Sequence, residues 1–306
     1  MAEPSELQIE QRPDLDCPVF ICSFRGWNDG GQGASLAASF LARTWHAEQF
    51  ATIDPELFFD FQMTRPQVAI VASDRRIDWP ENSFQYAQIG GAGGSGGAGP
   101  RDAVLLLGTE PSLRWRAFTG LVSGLASDLG ASLVVTLGSL LADVPHTRPA
   151  PVTASATDAT VLQDLGLQPS RYEGPTGVVG VLHDACRQAG IPSVSLWAAV
   201  PHYVSLTPSP RAAKALCDRL AGVLEVSIDT GELEEASNAY VQQVSEAVAA
   251  DDETAAYVDE LESRAAEIEE ETDLPSGDTL AAELTRFLRE REQNGGDGPP
   301  SARGEQ

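Results

Sequence analysis

The sequence predicts an α/β fold: a central, mostly parallel sheet flanked by helices, followed by an acidic all-helical C-terminal extension. Short apolar, β-branched runs recur along the chain up to Ala199, with helical or turn-rich segments between them. Several of these runs are apolar throughout rather than alternating, as strands covered by helices on both faces must be. Near Glu225 the composition changes abruptly. Residues 225–273 hold 17 acidic side chains against one basic residue, Arg264, while apolar residues still recur at helical intervals.

Residues 1–16 read as a flexible, polar N-terminus, with no basic stretch ahead of an apolar one and so no signal peptide. The α/β core is expected over 17–224, with strands at 19–24, 49–53, 67–72, 103–108, 133–137 and 194–199. Between them, 35–45 is rich in Ala and Leu, and 113–129 places Leu113, Trp115, Phe118, Leu121, Leu125 and Leu129 at helical spacing. A helix over 176–189 begins after Pro175 and stops at Gly190. Another, over 210–224, has Pro in its first turn. Residues 90–100, GGAGGSGGAGP, have no side chains with which to build a core and read as a flexible surface loop. The stretch 143–172 is turn-rich, then weakly helical, and is expected to run over the edge of the sheet. Three amphipathic helices are expected over 225–292, and a disordered tail over 293–306.

A formal net charge of -25 over 306 residues excludes nucleic acid as a partner, because phosphate recognition depends on lysines and arginines. Lys214 is the only lysine in the chain. Cys17, Cys22, Cys186 and Cys217 lie far apart with no C-x-x-C pairing, which predicts reduced thiols and neither a metal site nor a disulfide framework. No apolar run approaches the roughly 20 residues of a membrane helix. The expectation is a cytoplasmic protein with no membrane partner and no cofactor.

The stretch FRGWNDGGQGAS places four glycines behind the first strand, where doubly wound proteins hold phosphate at a helix N-terminus. Its spacing spells neither G-x-G-x-x-G nor a P-loop, and Asn28 and Asp29 add negative character. A tight strand-to-helix corner at Gly30, Gly31 and Gly33 is the better reading, leaving Trp27 and Asn28 at the strand end. His183 sits mid-helix and reads as a packing histidine. His146 and His202 each follow a strand end beside a proline, and with Asp143, Arg148 and Tyr203 they can face one cleft. Glu110 follows another strand. Arg114 and Arg116 stand in the first turns of the next helix, against its dipole, which predicts a salt bridge to Glu110 or to another acidic group. Arg65 lies amid Phe58, Phe59 and Phe61, which read as an exposed or interface-forming patch. The candidate cleft for a ligand or a neighbouring subunit therefore comprises Trp27, Asn28, Asp29, Gly30, Gly31, Arg65, Glu110, Arg114, Asp143, His146, His202 and Tyr203. None of these forms a complete catalytic signature, and G-x-S-x-G is absent.

Taken in series, GWNDGGQGA, DFQMTRPQV, GTEPSLRWRAF, LGSLLADVPHTRP and GPTGVVGVLHDACRQAGIPSVSLWAAVPHYV resemble the bacterial branch of the proteasome assembly chaperone 2 family, over residues 18–224. The resemblance implies a fold like that of the nucleoside phosphorylase and hydrolase group, self-association into homo-oligomers, and no established catalytic residues. It also implies a link to proteasome subunits, since archaeal and eukaryotic relatives help to assemble the proteasome core particle. Some relatives end in a hydrophobic-Tyr-X tail that docks into proteasome pockets; this sequence ends ARGEQ, with Glu305 where that tyrosine would be. Two functions are thus expected from different classes. One is a non-enzymatic assembly chaperone or scaffold acting as a homo-oligomer. The other is a nucleoside- or phosphate-handling enzyme of the phosphorylase or hydrolase kind, using a cleft at the strand ends.

Overall fold

The computed structural model describes residues 6–71, 74–90, 101–157, 168–169 and 173–273. The chain divides into two compact units at Ala255 and Ala256. Its strands are β1 (Leu7–Ile9), β2 (Val19–Arg25), β3 (Glu48–Ile53), β4 (Gln67–Val71), β5 (Asp74–Asp78), β6 (Asn82–Ile89), β7 (Arg101–Thr109), β8 (Leu133–Ala142), β9 (Val152–Ala156), β10 (Gln168–Pro169) and β11 (Ser193–Pro201). The helices are α1 (Gly33–Thr44), α2 (Trp115–Asp128), α3 (Val178–Gln188), α4 (Pro210–Leu224), α5 (Gly231–Ala249) and α6 (Asp252–Asp273).

Nine strands join one sheet in the order β1-β3-β6-β7-β2-β8-β11-β9-β10. Its centre, β7-β2-β8-β11, is parallel throughout. Their middle residues are the predominantly apolar runs and are buried on both faces, as the pattern of residues required. The flanks turn antiparallel: β6 runs against β7, β3 against β6, β1 against β3, and β9 against β11. Alternate residues of β2 feed the two layers of the core. Val19 and Ile21 pack with Ala37, Leu41, Leu216 and Leu220 of α1 and α4. Phe20, Cys22 and Phe24 pack with Phe118, Val122, Val179 and Leu182 of α2 and α3. Each such large side chain contributes roughly 1.5–3 kcal/mol by leaving water.

Helix boundaries follow local chemistry. Ser209 accepts a hydrogen bond from the Ala212 N–H at the start of α4, and Pro210 fills its first position. Gly190, at φ +71°, ends the turn after α3 in a conformation that favours glycine. The described part of the second unit is helical throughout, the run of α6 beyond Ala255.

Several expectations change. Residues 7–9, expected within a flexible N-terminus, form an edge strand whose Leu7, Gln8 and Ile9 pair with Ile53, Thr52 and Ala51. The run 67–71 is extended but leaves the main sheet; β4 and β5 form a two-stranded ribbon of their own. Phe58 and Phe59 are core residues rather than a surface patch, with Phe58 packed edge-on against Phe118 at 5.4 Å between ring centroids. The stretch after Ala142 returns to the sheet as β9 and β10. The glycine-rich loop at 91–100, the weakly helical reading of 158–167, the third acidic helix and the C-terminal tail lie outside the described residues.

Candidate functional site

The corner after β2 is stitched together by two carboxylates. Asp29 Oδ1 accepts the backbone N–H groups of Ala34 and Ser35 at 3.0 and 3.1 Å and lies 3.3 Å from the Ser139 hydroxyl. These N–H groups open α1 and are the ones an anion would use. A protein carboxylate occupies them instead. The glycines explain how α1 comes so close: a Cβ on Gly31 would stand 2.8 Å from Val200 Cγ1, and one on Gly33 2.7 Å from Ala212 Cβ. Gly31 also has a φ of +59°, which favours glycine. Backbone pairing of Asp29 with Ser139 then fastens the corner to β8.

Glu110 is the second carboxylate. Its Oε1 accepts from Asn28 Nδ2 at 2.7 Å and from the Val178 N–H, at the first turn of α3, at 2.9 Å; its Oε2 accepts the Trp27 N–H at 3.1 Å. Asn28 is fully buried, whereas Trp27 is 62% exposed. Glu110 thus ties the ends of β2 and β7 to α3, and its charge suits the N-terminus of that helix. Of the two partners expected for Arg114, Glu110 or another acidic group, the structure shows the second. Arg114 reaches Glu6 at 3.2 Å and covers the Phe58 ring, while Glu110 points into the corner.

A separate polar group forms beyond the ends of β8 and β11. The Tyr203 hydroxyl stands 2.8 Å from both the backbone N–H and Nδ1 of His146, whose Nε2 meets Ser245 Oγ of α5 at 3.0 Å. Asp143 Oδ1 lies 3.2 Å from His202 Nδ1. His146 is buried and His202 exposed, each ring standing edge-on to Tyr203. The arrangement closes the buried imidazole between Tyr203 and Ser245, so it fastens α5 to the strand ends. His183 meets Ser193 Oγ at 3.0 Å, and burial pushes its imidazole below the usual histidine range.

The twelve candidate residues therefore fall into groups. Trp27, Asn28, Asp29, Gly30, Gly31 and Glu110 share the corner; Asp143, His146, His202 and Tyr203 share the cluster beyond β8 and β11. Arg114 stands apart, against Glu6. Arg65 lines a cavity of about 410 Å³ with Ser23, Arg25, Ser39 and Thr109. Sequence reading singled out neither Ser23 nor Arg25, nor the supporting hydroxyls of Ser139 and Ser245. Among the described residues no cluster of three or more His, Cys, Asp or Glu can hold a metal, and no helix is long and apolar enough to cross a membrane.

Comparison with known proteins places the same region in a shared context. The family model described as the PAC2 family matches residues 23–248. A PAC2 family protein from Streptomyces avermitilis is 46% identical, with a TM-score of 0.72, over 79% of this chain and 99% of that one. A proteasome-assembly chaperone homologue from Mycobacterium tuberculosis is 41% identical, with a TM-score of 0.70, over 78% of this chain and 99% of that one. A Pyrococcus furiosus archaeal proteasome activator, 20% identical with a TM-score of 0.61 over 79% and 97% of the two chains, shares the fold. No curated protein matches the chain.

Proposed function

Since the chain belongs to the PAC2 family, we propose that it acts as a non-enzymatic, assembly-chaperone-like scaffold, working as a homo-oligomer and linked to proteasome assembly. The observation that carries the reading is the β4–β5 ribbon. Val68 pairs with Ile77 and Ile70 with Arg75, so Val68, Ile70 and Ile77 lie on one face of the ribbon; they are 56%, 75% and 54% exposed. A two-stranded ribbon alone in water is marginally stable, and packing on a further surface is what secures such an element. Trp27, Leu140 and Leu141 add exposed apolar side chains near the corner. A second copy of this chain is the partner we assign to these surfaces. Similarity to the Mycobacterium tuberculosis proteasome-assembly chaperone homologue supports the link to proteasome assembly.

The carboxylates of the corner favour the same reading over a catalytic one. Both oxygens of Glu110 and Oδ1 of Asp29 are taken by backbone N–H groups and by Asn28, so both carboxylates act as fasteners for the strand ends. Light scattering on the eluting protein tests the proposal: the mass is a multiple of the single chain, and Val68→Asp with Ile70→Asp lowers it to one chain. Unassembled proteasome core subunits mixed with the protein assemble faster. A wild-type monomer that leaves the assembly rate unchanged overturns the proposal.

A further inference from the structure

The sheet face that packs on α1 is apolar at one end and polar at the other. On β2 the side chains of that face run Val19, Ile21, Ser23, Arg25; on β7 they run Ala103, Leu105, Leu107, Thr109. The first two of each series are core residues, and the change comes where α1 presents Ser39 and where residues 64–67 and 78–81 close the side. The result is the cavity of about 410 Å³, within the range of pockets that hold small ligands.

Two features mark it as a place built for a guest. Ser23 is 2% exposed, and its hydroxyl has no hydrogen-bond partner in the protein, although a buried polar atom normally finds one. Arg25 and Arg65 line the same cavity, and neither guanidinium has an acidic partner among the described residues, in a chain with a formal net charge of -25. Two acidic residues belong to the lining. Asp78 is held by Arg76 at 3.0 Å, which leaves Glu81 as the single carboxylate set against two arginines. The hydroxyls of Ser39, Ser83 and Thr109 complete a donor-rich wall.

We propose that this cavity binds a small phosphomonoester, its phosphate held by Arg25 and Arg65 and its hydroxyl-bearing remainder set against Ser23, Ser39, Ser83 and Thr109. Two guanidinium charges match the near-dianionic charge of a phosphate monoester, whose three terminal oxygens let each fork bind bidentately, whereas a carboxylate carries a single charge. The volume suits a guest of sugar-phosphate size. The site is distinct from the N-terminus of α1, whose N–H groups Asp29 already fills, and it stands whether or not the protein assembles into oligomers.

Ribose 5-phosphate titrated calorimetrically into the full chain in chloride buffer tests the assignment. The expected result is saturable binding of one molecule per chain, competed by inorganic phosphate and absent with ribose. Arg25→Gln and Arg65→Gln change exposed side chains and leave the circular dichroism spectrum and melting curve unaltered. Each weakens binding by about tenfold or more, the loss expected of a hydrogen-bonded charge. Arg187→Gln, on α3, binds as the wild type does. Absence of saturable heat, equal binding by ribose, binding of inorganic phosphate without ribose 5-phosphate, or unchanged affinity in both cavity arginine variants would each overturn the proposal.

Discussion

Replacing Glu110 tests whether one carboxylate fastens the ends of β2 and β7 to α3. Glu110→Ala removes the acceptor from the Val178 N–H and from Asn28 Nδ2, both at buried residues, and from the Trp27 N–H at an exposed one. Water replaces the third bond at little cost. Each of the first two leaves a buried donor unsatisfied, at about 1–3 kcal/mol, so the expected loss is about 3 kcal/mol, counting the two as partly coupled. Glu110→Gln keeps one oxygen where Oε1 now accepts both buried donors, and loses the charge assistance and the interaction with the helix dipole. Its expected loss is about 1 kcal/mol. Urea unfolding of both variants, read as a midpoint shift at unchanged slope, separates the two values. Equal losses for Ala and Gln, or a loss below about 1 kcal/mol for Ala, refutes the assignment.

Other outcomes follow from the same geometry. Gly33→Ala would stabilise an ordinary helix by about 1 kcal/mol, but its Cβ would stand 2.7 Å from Ala212 Cβ; a melting temperature several degrees below the wild type is expected, and a rise removes the close-approach argument. Among the thiols, burial pushes Cys186 up to about 11 and Cys217 up to about 12, and it raises Cys22 well above the ordinary thiol value. A thiol-reactive dye at pH 8 should label only Cys17, slowly because Asp16 raises its thiol, until the protein unfolds. Because burial lowers the His183 imidazole in the folded state, the unfolded chain binds more protons between the folded value and the ordinary one of 6.5. The stabilising contribution of neutral His183 is fully present above pH about 6.5 and is lost as the pH falls through the lowered value. His183→Gln, which retains a partner for Ser193, should flatten the pH dependence of stability in that interval; an unchanged slope argues against the assignment.

What was legible in the sequence was local. Residues 19–22 of β2 are apolar on both faces because helices cover both, and that needs only the run itself. The start of α4 was written in Pro210, and its end in the change of composition at Glu225. The corner at Gly30, Gly31 and Gly33 was legible for the same reason, since every residue that shapes the turn lies within a few positions. β6 was missed because NSFQYAQI mixes polar and apolar residues, and only antiparallel pairing with β7 and β3 settles its conformation. Phe58 and Phe59 looked like a patch because their covering partner, Phe118, lies far along the chain. The cavity was hidden in the same way. Ser23, Arg25 and Arg65 meet only through the sheet register and the return of the chain after β3. The signal that would have found it is the period-two series Val19, Ile21, Ser23, Arg25, in which a face that should continue apolar turns polar.

Strand β1 has a practical consequence for handling the protein. Three residues are enough to cover the outer margin of β3, with Glu6 and Glu10 extending the seam through Asp54 N–H to Glu6 O at 3.0 Å and Glu10 N–H to Phe50 O at 2.9 Å. Trimming the chain at Asp16, which its polar leading segment invites, would unzip that seam and leave a row of unpaired amides and carbonyls facing outward. Such a margin recruits any extended peptide that meets it. A shortened version would therefore gather into aggregates that mimic assembly without reflecting it, so mass measurements belong on chains that keep residues from Glu6 onward.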